Sequence, residues 1–398
     1  MKIIYSVTVT FLLAICAQTL FADPLVYEGT EGPGVGKHIV FIANDHEYRS
    51  EETCPALARI LAKHQGFRCT VLFGIDENGH IKPGDVPVPG MEALKEADLL
   101  VFFTRFMNLP DAQVDLLVDY FERGGPVVGM RTSTHAFNKQ EGKWAKLNFT
   151  YDGDDYRGGL GEQIFGNTWH KERGQSHYGS NHVMGSRITA AAGAADHPIL
   201  TGVGSIHAYS GAYKSQPPAD ATALLDVQVL NTFEPGDDIN SDKPLVSAGW
   251  SRDFYIAPGG TKKDARVVYT SLGASEDLLD EDARRFLVNS SLWAGGWEDK
   301  ITADLDVSIV GTYHPSPYNG KAFYRTGLQP ADLAGWEGQI MPESAGVAGF
   351  DESTKSIPAS MSRALKNRPA LISWLTEKFP NFDPDLTQPA PKKKAKKQ

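Results

Sequence analysis

The chain has 398 residues, of which 41% are hydrophobic and 22% are charged, and it carries a formal net charge of -10. This composition is typical of a globular protein with one or two domains, and it excludes a chain that is disordered throughout. The acidic balance argues against a nucleic-acid-binding protein, whose footprint would be a basic face. We therefore predict a folded protein without a nucleic-acid partner.

The amino-terminal residues 1-22 have the pattern of an export signal. Lys2 is followed by an apolar run from Ile3 to Ala17, and small Ala22 precedes Asp23, where we expect the mature chain to begin. The run is shorter than the roughly 20 apolar residues that a membrane-spanning helix needs. We expect an exported protein, periplasmic or extracellular, without a membrane span.

Strands and helices alternate over the first part of the mature chain. Short apolar runs predict strands, whereas apolar stripes with helical spacing that end at glycines predict helices. Four such alternations with short connections predict a parallel sheet with helices on both faces, which is a doubly wound α/β fold. The predicted strands are 37–43, 67–73, 99–104 and 126–130, and the predicted helices lie at 50–66, 91–96 and 110–124.

The pattern loosens after Phe137, and later elements complete the same domain. They are strands near 186–190, 223–229, 244–250 and 266–270, and a helix through Phe286 and Trp293. We expect one α/β domain over residues 23-300, then an extension over 301-335 with one more strand at 306–313. Residues 336-398 are expected to be weakly structured and end in a Lys-rich tail.

Cys54 and Cys69 are the cysteines of the mature chain. An oxidising compartment permits a disulfide between them, and two buried apolar thiols are the alternative.

Polar and titratable residues follow three of the predicted strands. In an open α/β sheet the carboxyl ends of parallel strands share one edge, where ligands bind. We therefore predict that these side chains converge on one pocket. The candidates are Asp45, His46, Glu47 and Tyr48 after the first strand, Arg105 after the third, and Arg131, Thr132, Ser133 and His135 after the fourth.

A second polar group follows at residues 167–182. The histidines His135, His170, His177 and His182, with Asp45 or Glu47, could supply three ligands to a divalent metal such as zinc. The candidate set is His135, His170 and His177. Their spacing matches no closed metal motif. The alternative is that they form hydrogen bonds in a sugar site beside Trp169.

Five segments together resemble the ThuA-like family, which is named for trehalose utilisation, and in particular its exported planctomycete-type members. The resemblance covers roughly residues 37–297 and implies a flavodoxin-like domain of the class I glutamine amidotransferase-like superfamily. The segments are Lys37-His-Ile-Val-Phe-Ile-Ala-Asn-Asp-His-Glu-Tyr-Arg49, Phe102-Phe-Thr-Arg-Phe106, Met130-Arg-Thr-Ser-Thr-His-Ala-Phe137, Phe165-Gly-Asn-Thr-Trp169 and His197-Pro-Ile-Leu200.

Glutamine amidotransferase activity is not expected, because the turn after the fourth strand has no cysteine where amidotransferases carry their nucleophile. Ser133 or Thr132 could replace the thiol, although a nucleophile also needs an adjacent base and an oxyanion hole.

The resemblance implies a role in carbohydrate catabolism, on a disaccharide or a 3-keto sugar. We expect a lyase or hydrolase in which His135 is the general acid or base and Arg105 and Arg131 orient the ligand oxygens. The expected substrate-binding residues are Asp45, His46, Glu47, Tyr48, Thr132 and Trp169. Asp45, His46 and His170 are expected to bind sugar or a metal. A non-catalytic sugar-binding module that uses the same cleft is the alternative.

Overall fold

The computed structural model describes residues 23–84, 87–170, 172, 174–178, 184–232, 234–316, 318, 324–341, 346–347, 372–373 and 376. The predicted export signal and the Lys-rich tail lie outside the described residues, so both stay predictions. Within the described ranges, no helix combines the length and the apolar character needed to cross a membrane.

A ten-stranded sheet organises the chain. The strands are β1 (Leu25–Glu28), β2 (His38–Asn44), β3 (Arg68–Phe73), β4 (Leu99–Thr104), β5 (Val127–Met130), β6 (Ser176–Tyr178), β7 (Ser186–Ala190), β8 (Ile206–Ala208), β9 (Ala212–Lys214), β10 (Thr222–Val229), β11 (Val246–Ile256), β12 (Lys262–Thr270), β13 (Arg325–Thr326) and β14 (Gly346–Val347). In the large sheet they have the order β1-β3-β2-β4-β5-β12-β11-β10-β7-β8. The α-helices are α1 (Ser50–Gln65), α2 (Asp111–Glu122) and α3 (Glu281–Ala294).

The centre of the sheet is parallel. Strands β3, β2, β4, β5 and β12 pair in parallel in that spatial order. Counted along the chain, these five strands have the order 2-1-3-4-5, which is the flavodoxin-like doubly wound arrangement. The predicted α/β fold is confirmed. Beyond β12 the sheet continues with antiparallel partners, and β1 adds an antiparallel edge beside β3.

The sheet is buried on both faces, as a parallel sheet requires. Every residue of β2 and β4 is buried, and alternate residues of each strand join different core clusters. One cluster includes Leu57 and Leu61 of α1 with Phe286 of α3, and the other includes Val114 and Phe121 of α2. The prediction of helices on both faces is therefore also confirmed.

The extension after α3 lies across α1 and α3 without forming the strand that we expected at 306–313. Gln65 Nε2 donates to the carbonyl oxygen of Asp306 at 3.1 Å, and Arg284 Nε donates to that of Val307 at 2.8 Å. Helix side chains occupy these carbonyl groups, and within the described residues the segment forms only an isolated bridge between Tyr313 and Ile340, so the predicted strand is wrong. Val307 and Tyr313 join the core beside α1 and α3.

Cys54 and Cys69 do not form a disulfide. Cys54 on α1 and Cys69 on β3 are both free and buried. Burial raises the pKa of each thiol well above its ordinary value, so both remain protonated apolar core groups.

Candidate functional site

A cleft of about 610 Å³ lies at the carboxyl ends of β2 and β4. His46 follows β2 and Arg105 follows β4, so the parallel arrangement brings them to the same edge of the sheet. More distant segments supply the remaining walls. The lining residues are His46, Arg49, Glu51, Lys82, Pro83, Gly84, Arg105, Phe106, Asn138, Lys139 and Tyr324.

Arg105 is the centre of a hydrogen-bonded group in this cleft. Its Nη1 donates to Nε2 of His46 at 2.6 Å, and its Nη2 lies 3.0 Å from Oε2 of Glu47. Its guanidinium carbon lies 4.3 Å from the centre of the Phe106 ring. Because arginine can only donate, this contact assigns the acceptor role to Nε2 of His46 and the ring proton to Nδ1.

Glu51 lies in the first turn of α1 and is 2% exposed, although it lines the cleft. Burial raises the pKa of its carboxyl group to about 8, against the opposing effect of Arg49. Glu52 follows it, and burial raises the pKa of that carboxyl group to about 7. The cleft therefore contains a carboxyl group that is mostly protonated at neutral pH.

Left-handed backbone is concentrated at this edge of the sheet. Among the described residues, five non-glycine residues have positive φ, and three of them line the cleft: Arg49 at 67°, Phe106 at 51° and Lys139 at 61°. A fourth is Arg131 at 42°. Non-glycine residues adopt this conformation at a cost of about 1–2 kcal/mol each, and such residues cluster at functional sites.

Asp45 links the loop after β2 to the turn after β5 and does not line the cleft. Its Oδ1 accepts from the backbone N–H groups of Glu47 and Tyr48 at 2.8 and 2.5 Å, and its Oδ2 accepts from Oγ1 of Thr132 at 2.6 Å. Both Asp45 and Thr132 are fully buried. The structure therefore places these two predicted substrate-binding residues in a supporting hydrogen-bond network.

Arg131 is buried and lies outside the cleft, although we predicted that it orients ligand oxygens. Its Nη1 donates to Oγ of Ser210 at 2.6 Å and to the carbonyl oxygen of Ser271, and its guanidinium carbon lies 3.8 Å from the Tyr48 ring centre. Burial alone would lower its pKa, but Tyr213, Tyr48 and Asp277 together raise it.

Arg131 is thus a permanent cation inside the protein. Tyr48, another predicted substrate-binding residue, is covered by this cation and by the stacked ring of Tyr318.

The turn after β5 offers no free nucleophile. Ser133 Oγ donates to the carbonyl oxygens of Phe102 and Met130 at 2.5 and 2.8 Å, and the hydroxyl of Thr132 donates to Asp45. The strained residue of this strand-to-helix turn is Arg131. The alternative that a hydroxyl replaces the cysteine of an amidotransferase therefore has no support in this geometry.

His135 lies behind the cleft wall, in an aromatic cage. It is 2% exposed, and its ring centre lies 4.8 Å from that of Trp169 and 5.3 Å from that of Phe106. Burial, followed by the charge of Arg105, lowers its pKa well below the ordinary value. His135 is therefore neutral and is separated from the cleft by Phe106, which leaves its predicted role as general acid or base without geometric support.

The predicted metal ligands His135, His170 and His177 do not form a joint site. The Trp169 ring contacts the rings of both His135 and His177, at 4.8 and 4.9 Å between centres. Nδ1 of His170 instead accepts from the backbone of Glu172 at 3.3 Å. Within the part of the chain that the structure describes, no group of three or more His, Cys, Asp or Glu could hold a metal ion. His182 lies outside it.

Several cleft residues were not candidates in the sequence. Arg49 and Glu51 adjoin the predicted Asp45–Tyr48 group, so its extension by a few residues would have included them. Lys82, Lys139 and Tyr324 lie on irregular segments far apart in the chain, and no local pattern identifies them.

The strand order and the cleft define an α/β protein of flavodoxin-like topology with a cleft at the carboxyl edge of its sheet. No family model matches the chain, and no curated protein is similar to it.

Two solved structures, both named as thua-like proteins, share some similarity with the chain. The one from Bacteroides uniformis ATCC 8492 is 15% identical, with a TM-score of 0.41 over 67% of this chain and 95% of its own. The one from Parabacteroides merdae ATCC 43184 is 14% identical, with a TM-score of 0.41 over 70% of this chain and 94% of its own. Similarity at this level carries no argument about function.

Proposed function

We propose that the chain is an exported protein of carbohydrate catabolism whose cleft at the ends of β2 and β4 binds a disaccharide or a 3-keto sugar. We further propose that it acts on this ligand as a lyase or hydrolase. The composition of the cleft is the observation that supports this proposal. Arg105, Asn138 and Lys139 offer hydrogen-bond donors, and Phe106 and Tyr324 contribute aromatic rings. Sugars present hydroxyl groups and apolar faces, which such a combination suits.

Acid–base chemistry is the reaction type that the lining supports. A lyase or hydrolase must transfer a proton to or from the ligand, and Glu51 is a carboxyl group whose pKa of about 8 lies near neutral pH. His46 is held in one orientation by Arg105 and carries its ring proton on Nδ1. Arg105 in turn is held by Glu47 and Phe106, so it would present its charge to ligand oxygens at a constant position.

One observation favours the alternative of a non-catalytic sugar-binding module. The acceptor nitrogen of His46 is occupied by Arg105, so this histidine cannot accept a proton while the contact persists. The module would bind sugars without forming product.

Calorimetric titration and product analysis with disaccharides and their 3-keto derivatives test the proposal. We expect saturable binding, and product with at least one compound. Arg105→Gln should weaken binding about tenfold or more, because it removes a charged donor. Arg157, an exposed residue paired with Asp152, provides the control Arg157→Gln, which should bind normally. Binding without product would favour the module, and absence of binding to every sugar would refute both.

A further inference from the structure

The charge of the cleft is opposite to that of the whole chain. The sequence carries a formal net charge of -10, yet the cleft lining includes Arg49, Lys82, Arg105 and Lys139. Glu51 is its acidic member, and burial together with Glu52 disfavours the ionised form of that carboxyl group. A positive cleft on an acidic protein is not a consequence of its composition, and such a cleft attracts anionic ligands.

Arg105 contributes little of this surplus charge. Glu47 is 3.0 Å from its guanidinium group and offsets its charge. The other cations of the lining are Arg49, which is buried and also donates to the carbonyl oxygen of Glu47, and Lys82 and Lys139, which are exposed. Arg49 and Lys139 both adopt left-handed backbone, so the fold accepts strain at the positions from which these cations reach the cleft.

Glu51 provides an independent sign of a ligand. Its Oε2 atom is buried without a hydrogen-bond partner among the residues that the structure describes, and its side chain lines the cleft. Buried polar atoms are nearly always paired, so an unpaired one in a cleft wall marks a position at which a ligand atom would complete the hydrogen bonding.

We propose that the ligand of this cleft is an anionic sugar derivative whose carboxylate or phosphate group is bound by Arg49, Lys82 and Lys139 and accepts a hydrogen bond from the carboxyl group of Glu51. This inference rests on the proposed function, because it names the class of sugar that the same cleft takes. A neutral carboxyl group donates to an oxyanion, whereas an ionised one would repel it. The protonation state of Glu51 therefore matches an anionic ligand.

Titration calorimetry of the full chain at low ionic strength and about pH 7 tests the class of ligand. We expect glucuronate or glucose 6-phosphate to bind about tenfold tighter than glucose, because charged hydrogen bonds to lysine and arginine are added. The double variant Lys82→Gln/Lys139→Gln should lose this preference. The matched control Lys37→Gln/Lys95→Gln removes the same charge near the amino ends of β2 and β4, at the opposite edge of the sheet, and should retain it.

The outcomes separate the two proposals. Preference for glucuronate over glucose 6-phosphate would identify a carboxylate ligand, and the reverse would identify a phosphate. Equal binding of glucose and both anions would overturn the anionic class and leave the proposed sugar function standing. Loss of the preference in the control variant would also overturn it, because a distant charge would then account for the effect. Absence of binding to glucose, disaccharides and both anions would overturn both proposals.

A pH series from about pH 7 to about pH 9 tests the role of Glu51. In the unsubstituted protein the affinity for the preferred anion should fall as Glu51 ionises and repels the oxyanion. Glu51→Gln keeps a neutral donor at the same position, so its affinity should change about threefold or less over this range. Arg49, Asp45 and Glu52 surround Glu51, while His46, Lys82 and Arg105 face the same cleft, and all are retained in this variant. Equal pH dependence in both proteins would overturn the role of Glu51.

Discussion

The ends of β2 and β4 and the end of β5 lie side by side on the same sheet edge, yet only the first two open onto the cleft. After β2 and β4, His46 and Arg105 are partly exposed and line it. After β5, Arg131 and His135 are at most 2% exposed and line none of it. Both regions contain arginine and histidine, so residue type does not distinguish them.

The difference is made by what covers each strand end. The end of β5 is covered by Ser210, Tyr213 and Ser271, which contact Arg131 directly. The ends of β2 and β4 are bordered by Lys82 and Tyr324, which leave a cleft between them. Titratable residues at a strand end therefore stabilise the fold where later segments pack over them and bury them. They are available to a ligand where the later segments leave a cleft.

The largest expected effect is the loss of stability in Arg131→Met. Removing this buried cation leaves Asp277, which it reaches through the hydroxyl group of Ser210, as a buried acidic group without its compensating charge, and such a loss costs about 3–5 kcal/mol. Arg105→Met removes a pair whose side chains are 20% and 10% exposed, so water partly replaces the lost contact and we expect a smaller cost of about 1–2 kcal/mol. Urea unfolding of both variants measures the contrast. Equal losses would contradict the division into a sealed and an open region.

The next effect is a pH-dependent gain of stability in Glu51→Gln. The pKa of Glu51 is raised from 4.5 to about 8, so its contribution is fully present below about pH 4.5 and is lost as the pH rises through about 8. Above that pH the variant should be more stable by on the order of a few kcal/mol, because it has no buried charge. Thermal unfolding at several pH values measures this.

Glu298→Gln provides a control of opposite sign. Arg266 lowers the pKa of Glu298 to about 2, so the stability from this carboxylate is present above about 4.5 and is lost as the pH falls through about 2. This variant should be less stable at neutral pH. The stability of Glu51→Gln relative to the unsubstituted protein should rise between about pH 5 and about pH 9. If it does not, ionisation of Glu51 does not destabilise the folded protein.

Thr132→Val should have a smaller effect. It removes the donor to Oδ2 of Asp45 and leaves a buried carboxylate oxygen with one partner fewer, at a cost of about 1–3 kcal/mol. The exposed Thr222, at the start of β10, provides the comparison Thr222→Val, which should change stability by less than about 0.5 kcal/mol. Equal denaturation midpoints for the two variants would mean that the hydrogen bond between Thr132 and Asp45, which links the two regions, contributes nothing measurable to stability.

The smallest effect on ligand binding is expected for His135→Gln. His135 lies behind Phe106 and does not line the cleft, so the affinity for the preferred sugar should change by less than about twofold. Calorimetric titration of the folded variant measures this. A tenfold loss, without a matching loss in the folded fraction, would extend the site to the end of β5.

Much of the fold could be predicted from the chain. The strand at 99–104 and the helix that ends before Gly66 follow from local apolar patterns and from a glycine at positive φ, and the structure has both. The strand at 306–313 failed because Gln65 and Arg284 bind its carbonyl groups, and no pattern in the segment itself reports those distant side chains.

Local sequence by itself determined where the strands of the parallel sheet end and that His46, Arg105, Arg131 and His135 follow them. The tertiary structure alone decided which of these residues are open to a ligand. Exposure depends on which later segment packs over each strand end: Ser210 lies 79 residues beyond Arg131, and Tyr324 reaches the cleft from the extension. Such packing is set by contacts between segments that are distant in the chain, and the periodicity of a single segment carries no information about them.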